Sequence, residues 1–94
     1  DLAIPPTVKP GTYLLKVRLV TSWDYAVVCV KFNNTPLAEP VDTYSPRIEA
    51  KWVVLGNVAV RSGQNLLRIE AVGRNPASAG YCAGIDAVML VSIR

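Results

Sequence analysis

The sequence predicts an all-β domain, an antiparallel β-sandwich of about seven to eight strands. Three observations carry this. Apolar and polar residues alternate along several short segments, the two-residue period of a strand with one buried face. Clusters of Gly, Pro, Asn, Asp and Ser separate those segments, as tight turns require. No window of about eleven residues free of Gly and Pro places apolar side chains at three-four spacing, so no helix is expected.

Residues 1–10, DLAIPPTVKP, hold three of the seven prolines and do not alternate. They read as a linker or extended lead-in, with the domain spanning 11–94. From Thr12 to Val20, Tyr13, Leu15, Val17 and Leu19 fall on one face and Thr12, Lys16 and Arg18 on the other, a half-buried strand. Tyr25 to Phe32 forms a second, nearly all-apolar strand with Ala26, Val28, Val30 and Phe32 inward, closed by the hairpin dipeptide Asn33-Asn34.

Thr35 to Ala38 is expected as a short edge strand, because Pro36 cannot donate to a ladder and Pro40 follows. Glu39 to Pro46 then reads as a long loop. A strand region runs from Ile48 to Val60, with a bulge or bend at Gly56-Asn57. Ser62 to Gln64 is a tight turn, and Leu67, Ile69 and Ala71 alternate with Arg68 and Glu70 in a half-exposed strand. Gly73 to Gly80 is a loop, and Tyr81 to Ile93 the final strand.

Size and composition bound the function. At 94 residues there is room for one core. Hydrophobic residues make up 51% and charged residues 18%, which excludes disorder. The longest apolar runs, Ala26 to Val30 and Ala87 to Val91, fall far short of the ~20 residues of a spanning helix. The net charge is +3, but the basic residues, from Lys9 to Arg94, are scattered, with Lys16, Arg18 and Arg68 at alternate strand positions. That is a solvated sheet face, not a basic stripe interleaved with aromatics, so no nucleic acid is expected. The chain opens at Asp1 with no basic or apolar leader and is expected to be cut from a larger protein.

Catalysis is not expected. The chain contains no histidine, which removes Ser-His-Asp and Cys-His chemistry and most zinc sites. Among Asp24, Glu39, Asp42, Glu49, Glu70 and Asp86, no pair is forced together by the sequence as a glycosidase needs. Cys29 and Cys82 are too far apart for a CxxC motif. They are either two buried free thiols or the halves of one cross-sheet or cross-strand disulfide.

Read in order, the segments are G-T-Y-x-L-x-V-R (Gly11 to Arg18), D-Y-A-x-V-x-V-x-F-N (Asp24 to Asn33), V-D-T-Y-S-P (Val41 to Pro46), L-G-x-V-x-V (Leu55 to Val60), G-Q-N-x-L-R-I-E (Gly63 to Glu70) and G-R-N-P-A-S-A-G-Y-x-x-G-I-D (Gly73 to Asp86). From Gly11 to Leu90 this order resembles the galactose-binding-like jelly-roll modules appended to secreted bacterial glycoside hydrolases. The resemblance implies a secreted or cell-surface, non-catalytic accessory domain, carbohydrate-binding or purely structural, with the neighbouring domains of its parent chain as partners. It also implies a structural calcium held by N-terminal acidic residues and an aspartate of the last strand. Asp86 matches that aspartate, whereas DLAIPP offers no acidic pair.

Strand parity places a ligand site. Successive antiparallel strands reverse direction, so the loops Thr21 to Asp24, Glu39 to Pro46 and Gly73 to Gly80 share one end, provided Gly56-Asn57 does not reverse the chain. That end gathers Trp23, Asp42, Tyr44, Arg74 and Asn75, with Tyr81 beside them. Aromatic rings stack on the C–H face of a pyranose, and Asp, Asn and Arg share its hydroxyls. Each residue also has a structural reading. Trp23 can plug the sandwich, and the hydroxyls of Tyr44 and Tyr81 can tie down loops. Asp42 can cap a turn, and Arg74 can pair with Asp42 or Asp86. Trp52 reads as core or as cover for an edge. The competing function is a structural domain packing on a neighbour through an apolar patch around Leu14, Val20, Val27 and Val53.

Overall fold

The computed structural model describes residues 1–93, so Arg94 lies outside the described residues. Seven strands form two antiparallel sheets: β1 (Leu2–Ala3), β2 (Gly11–Thr21), β3 (Val27–Phe32), β4 (Thr35–Asp42), β5 (Glu49–Val60), β6 (Leu66–Gly73) and β7 (Ile85–Ser92). One sheet has the order β1-β6-β3-β4 and the other β5-β2-β7. They stack as a β-sandwich, with no helix among the described residues.

Alternation drives the packing. Leu15, Val17 and Leu19 of β2 are fully buried, and they share one core with Val28, Val30 and Phe32 of β3, Leu55, Val58 and Val60 of β5, and Leu67 of β6. Each such side chain contributes on the order of 1.5–3 kcal/mol through removal from water.

Bulges shape the strands. Leu15 pairs with Gly56 and Lys16 with Val54, which leaves Leu55 as the extra residue. Gly56 has φ 114°, a conformation open chiefly to glycine. The bulge bends β5 without reversing it, so the strand-parity count holds. It also flips the facing of the strand: Val53 points inward opposite Val17 before the bulge, and Val58 and Val60 point inward after it. Trp52 and Val54 therefore lie on the outer face, where they are 49% and 58% exposed. Of the two readings of Trp52, core is corrected: it stands on the outer face of an edge strand.

Three further boundaries differ from expectation. Strand β4 does not stop at Ala38 but runs through Pro36 and Pro40 to Asp42. It is an edge strand, where missing N–H groups are tolerated, and a register shift around Ala38 (φ 55°) accommodates the extra residues. The last strand starts at Ile85, since Tyr81 to Gly84 runs outside it. The lead-in is docked: Leu2 and Ala3 pair with Leu67 and Leu66, and Ile4 is 8% exposed within the core. The Ile4 N–H donates to Asn65 O at 3.0 Å.

The two ends differ. At one, the hairpin residues Asn33 and Asn34 adopt φ 48° and 68°, the paired positive values of a type I′ turn. Asn65, 4% exposed, holds this end together. Its side-chain oxygen accepts from Asn33 Nδ2 and the Arg61 N–H, both at 3.0 Å. Its amide donates to Arg61 O at 2.9 Å and Gly63 O at 3.3 Å.

Candidate functional site

The opposite end is built from the chain after β2 (22–26), after β4 (43–48) and between β6 and β7 (74–84). The first segment lies between the other two and hydrogen-bonds both. On one side, the Ser22 N–H donates to Thr43 O at 3.2 Å and the Ser45 N–H to Ser22 O at 3.0 Å. On the other, Ala79 N–H donates to Trp23 O and Cys82 N–H to Asp24 O, each at 2.9 Å.

Small buried hydroxyls lock this arrangement. Ser22, Thr43 and Ser78 are 2–3% exposed. The Thr43 hydroxyl donates to Ala26 O, and the Ser78 hydroxyl lies 2.7 Å from Tyr25 O. Among the described residues no buried side-chain nitrogen or oxygen lacks a partner. Gly80 passes so close to Asp24 that a Cβ there would sit 3.2 Å from Asp24 O.

The locked loops leave large side chains in water. Trp23 is 50% exposed and Tyr81 62%. Arg74 lies over the Tyr81 ring, its Cζ 5.6 Å from the centroid, and Nη1 donates to Ser78 O at 3.0 Å. Asn75 Nδ2 donates to Asp42 Oδ2 at 2.7 Å, and Asp42 Oδ1 accepts the Tyr44 N–H at 2.9 Å. Tyr44 is half-buried and its backbone bridges to Ser22. Thus the structure brings all six residues, Trp23, Asp42, Tyr44, Arg74, Asn75 and Tyr81, to one end, but divides them. Asp42, Tyr44 and Asn75 shape the loops, whereas Trp23, Tyr81 and Arg74 keep free surface.

The metal and disulfide candidates take other roles. Asp86 pairs with Arg18 at 3.1 Å on the outer face of β5-β2-β7. Among the described residues no three His, Cys, Asp or Glu side chains are grouped to hold a metal. Cys29 and Cys82 are free thiols, one half-buried and one exposed. The reason is position: Cys82 bridges to Tyr25, and Cys29 lies four residues further along the chain, about 13 Å at strand rise, well beyond disulfide reach. The Cys82 thiol donates to Asp24 Oδ2 at 3.5 Å. That hydrogen bond, followed by desolvation and the carboxylate's charge, raises its pKa above the ordinary thiol value.

A concavity of about 780 Å³ opens on the flank instead, lined by Ile4, Leu67, Ile69, Ile85, Val88 and Leu90 among others. It is the unsealed side of the core, where β1 covers only two residues of β6. Its walls are mainly apolar, and the two carboxylates among its lining residues, Asp1 and Asp86, are already paired with Arg68 and Arg18, whereas the loop end offers exposed rings together with a guanidinium unpaired among the described residues.

The sheet faces also differ. Across β6 and β3, Asp1, Arg68, Glu70 and Lys31 form a chain of ion pairs at 2.7, 3.6 and 3.2 Å, a face suited to water. On β5-β2-β7, Trp52, Val54, Met89 and Val91 are exposed around Lys16 and Arg18. Of the patch anticipated from sequence, Leu14 and Val20 lie on this face. Val53 faces the core, and Val27 lies on the other sheet.

No protein-family model and no curated protein matches the chain. A solved structure does: a Paenibacillus xanthan lyase, 28% identical over 97% of this chain, with a TM-score of 0.81. The match spans 9% of the lyase's own length. The chain is a β-sandwich similar to one segment of a carbohydrate-active enzyme.

Proposed function

We propose that this domain is a non-catalytic carbohydrate-binding module of a larger secreted, carbohydrate-active protein, and that it holds a glycan at the loop end. One observation carries the reading: Trp23 and Tyr81 stand 50% and 62% exposed on loops that backbone hydrogen bonds tie to one another. Rigid exposed rings lose little entropy on binding. Covering a ring face with a pyranose contributes on the order of 1–3 kcal/mol, which suits the weak affinity of a module that works by retention. The similarity to a segment of a xanthan lyase supports a carbohydrate-active parent. Native electrophoresis through gels containing xanthan or other polysaccharides tests this. Retarded migration that Trp23→Ala and Tyr81→Ala each abolish is expected; unretarded wild-type protein across the panel overturns it.

The outer face of β5-β2-β7 favours a second reading. Trp52, Val54, Met89 and Val91, 49, 58, 44 and 41% exposed, make an apolar surface of the kind that packs on another domain. On that reading the module is a structural spacer, and no glycan binds at the loops.

A further inference from the structure

Resting on the loop-end site just proposed, we infer that Arg74 is a carboxylate reader and that the glycan recognised there is an acidic one, bearing a uronate or another carboxylated sugar. The ion pairs of the described residues join Arg18 to Asp86, Lys31 to Glu70, and Arg68 to both Asp1 and Glu70. Arg74 is in none of them. The two acids expected from sequence to neutralise it are engaged elsewhere: Asp42 accepts from Asn75 and from the Tyr44 N–H, and Asp86 holds Arg18.

Yet Arg74 is held in place. Its guanidinium lies over the Tyr81 ring at 5.6 Å, and one nitrogen, Nη1, donates to Ser78 O at 3.0 Å. Ser78 is itself buried, 3% exposed, and fixed by its hydroxyl near Tyr25 O. A guanidinium has five N–H donors in a planar fork, so this tether leaves a free edge. The ring contact and the tether restrict the guanidinium before any ligand arrives, which lowers the ordering cost of binding.

A planar, unneutralised fork matches a carboxylate in bidentate fashion. A neutral sugar hydroxyl engages it through single bonds only. With Tyr81 beside it and Trp23 in the same loop cluster, the arrangement suits a pyranose whose ring stacks while its carboxylate meets Arg74. The Arg74–carboxylate contact is partly solvated, so its effect on affinity is modest, roughly three- to tenfold.

The test compares glucuronate-bearing oligosaccharides with their carboxyl-reduced counterparts by calorimetry, for wild type and Arg74→Gln. Wild type is expected to bind the acidic member of a pair roughly three- to tenfold more tightly, with the difference shrinking as salt rises. Arg74→Gln is expected to bind both members alike. Equal wild-type affinity for the two members overturns the carboxylate inference while leaving a glycan site standing. An acidic preference that survives in Arg74→Gln overturns the assignment to Arg74. Binding to neither member by wild type overturns both the inference and the site on which it rests. The wild-type comparison needs no substitution, and a thermal melt shows whether Arg74→Gln is folded.

Discussion

Asn75 Nδ2 donates to Asp42 Oδ2 at 2.7 Å, joining the loop between β6 and β7 to the end of β4. This bond ties two of the loops of the candidate site together. Asn75→Ala is expected to cost about 0.5–1.5 kcal/mol and to weaken glycan retention, read by thermal melts and affinity electrophoresis. Asn75→Asp places two carboxylates face to face. Repulsion then raises the native pKa of the pair above its unfolded value, so the variant's stability is fully present in acid and is lost as pH rises through that native pKa. Its melting temperature, relative to wild type, should fall between pH 3 and pH 7, with both values marking only roughly the acid and neutral limits of carboxylate titration. A constant difference over that range contradicts this.

The far end serves as a control for stability without binding. Asn65 is 4% exposed and its carboxamide makes hydrogen bonds through both atoms. Asn65→Ala removes the hydrogen bonds that its buried carboxamide makes to the Arg61 and Gly63 backbone and to Asn33 and should cost about 1–3 kcal/mol in denaturant unfolding. At a temperature where the variant is still folded, its glycan affinity should match wild type.

Cys82 reports on the site's electrostatics. Because Asp24 accepts the thiol's hydrogen bond and holds its pKa up, the thiolate fraction near neutral pH is small. Iodoacetamide should therefore alkylate Cys82 more slowly than a small-molecule thiol of ordinary pKa. Asp24→Asn lowers the pKa and should speed the reaction, most visibly at slightly alkaline pH. Mass spectrometry of the modified peptide follows both rates, and an unchanged rate in Asp24→Asn contradicts the role given to the carboxylate.

Much of this arrangement is legible in the sequence, because alternation and turn chemistry are local signals. Leu15, Val17 and Leu19 declare β2, Asn33-Asn34 the hairpin and Gly56 the bulge. Given the bulge, parity alone sends Trp23, Asp42, Arg74 and Asn75 to one end. What escaped is long-range. Proline reads as a strand stop, yet Pro36 and Pro40 sit in β4 because no neighbour needs their N–H on that edge. Trp52 faces outward because the extra residue, Leu55, falls between it and the inward Val58 and Val60; without that bulge their alternation would turn Trp52 inward. Ile4 enters the core through pairing with a strand more than sixty residues away in the chain, which no local pattern announces. The partner of Arg74 also failed to follow from composition: Asp42 and Asp86 are satisfied by Asn75 and Arg18 instead.

A glycan held at the loop end and one held on the exposed sheet face would perturb different residues. Titrating ¹⁵N-labelled protein with a polysaccharide fragment, and mapping the amide shifts, separates the two most directly. Shifts confined to residues 22–25, 42–47 and 74–82 are expected, with the Trp23 indole N–H moving and the Trp52 indole N–H still. Shifts centred on Trp52, Val54 and Met89, or none at saturating fragment, would contradict the loop-end site.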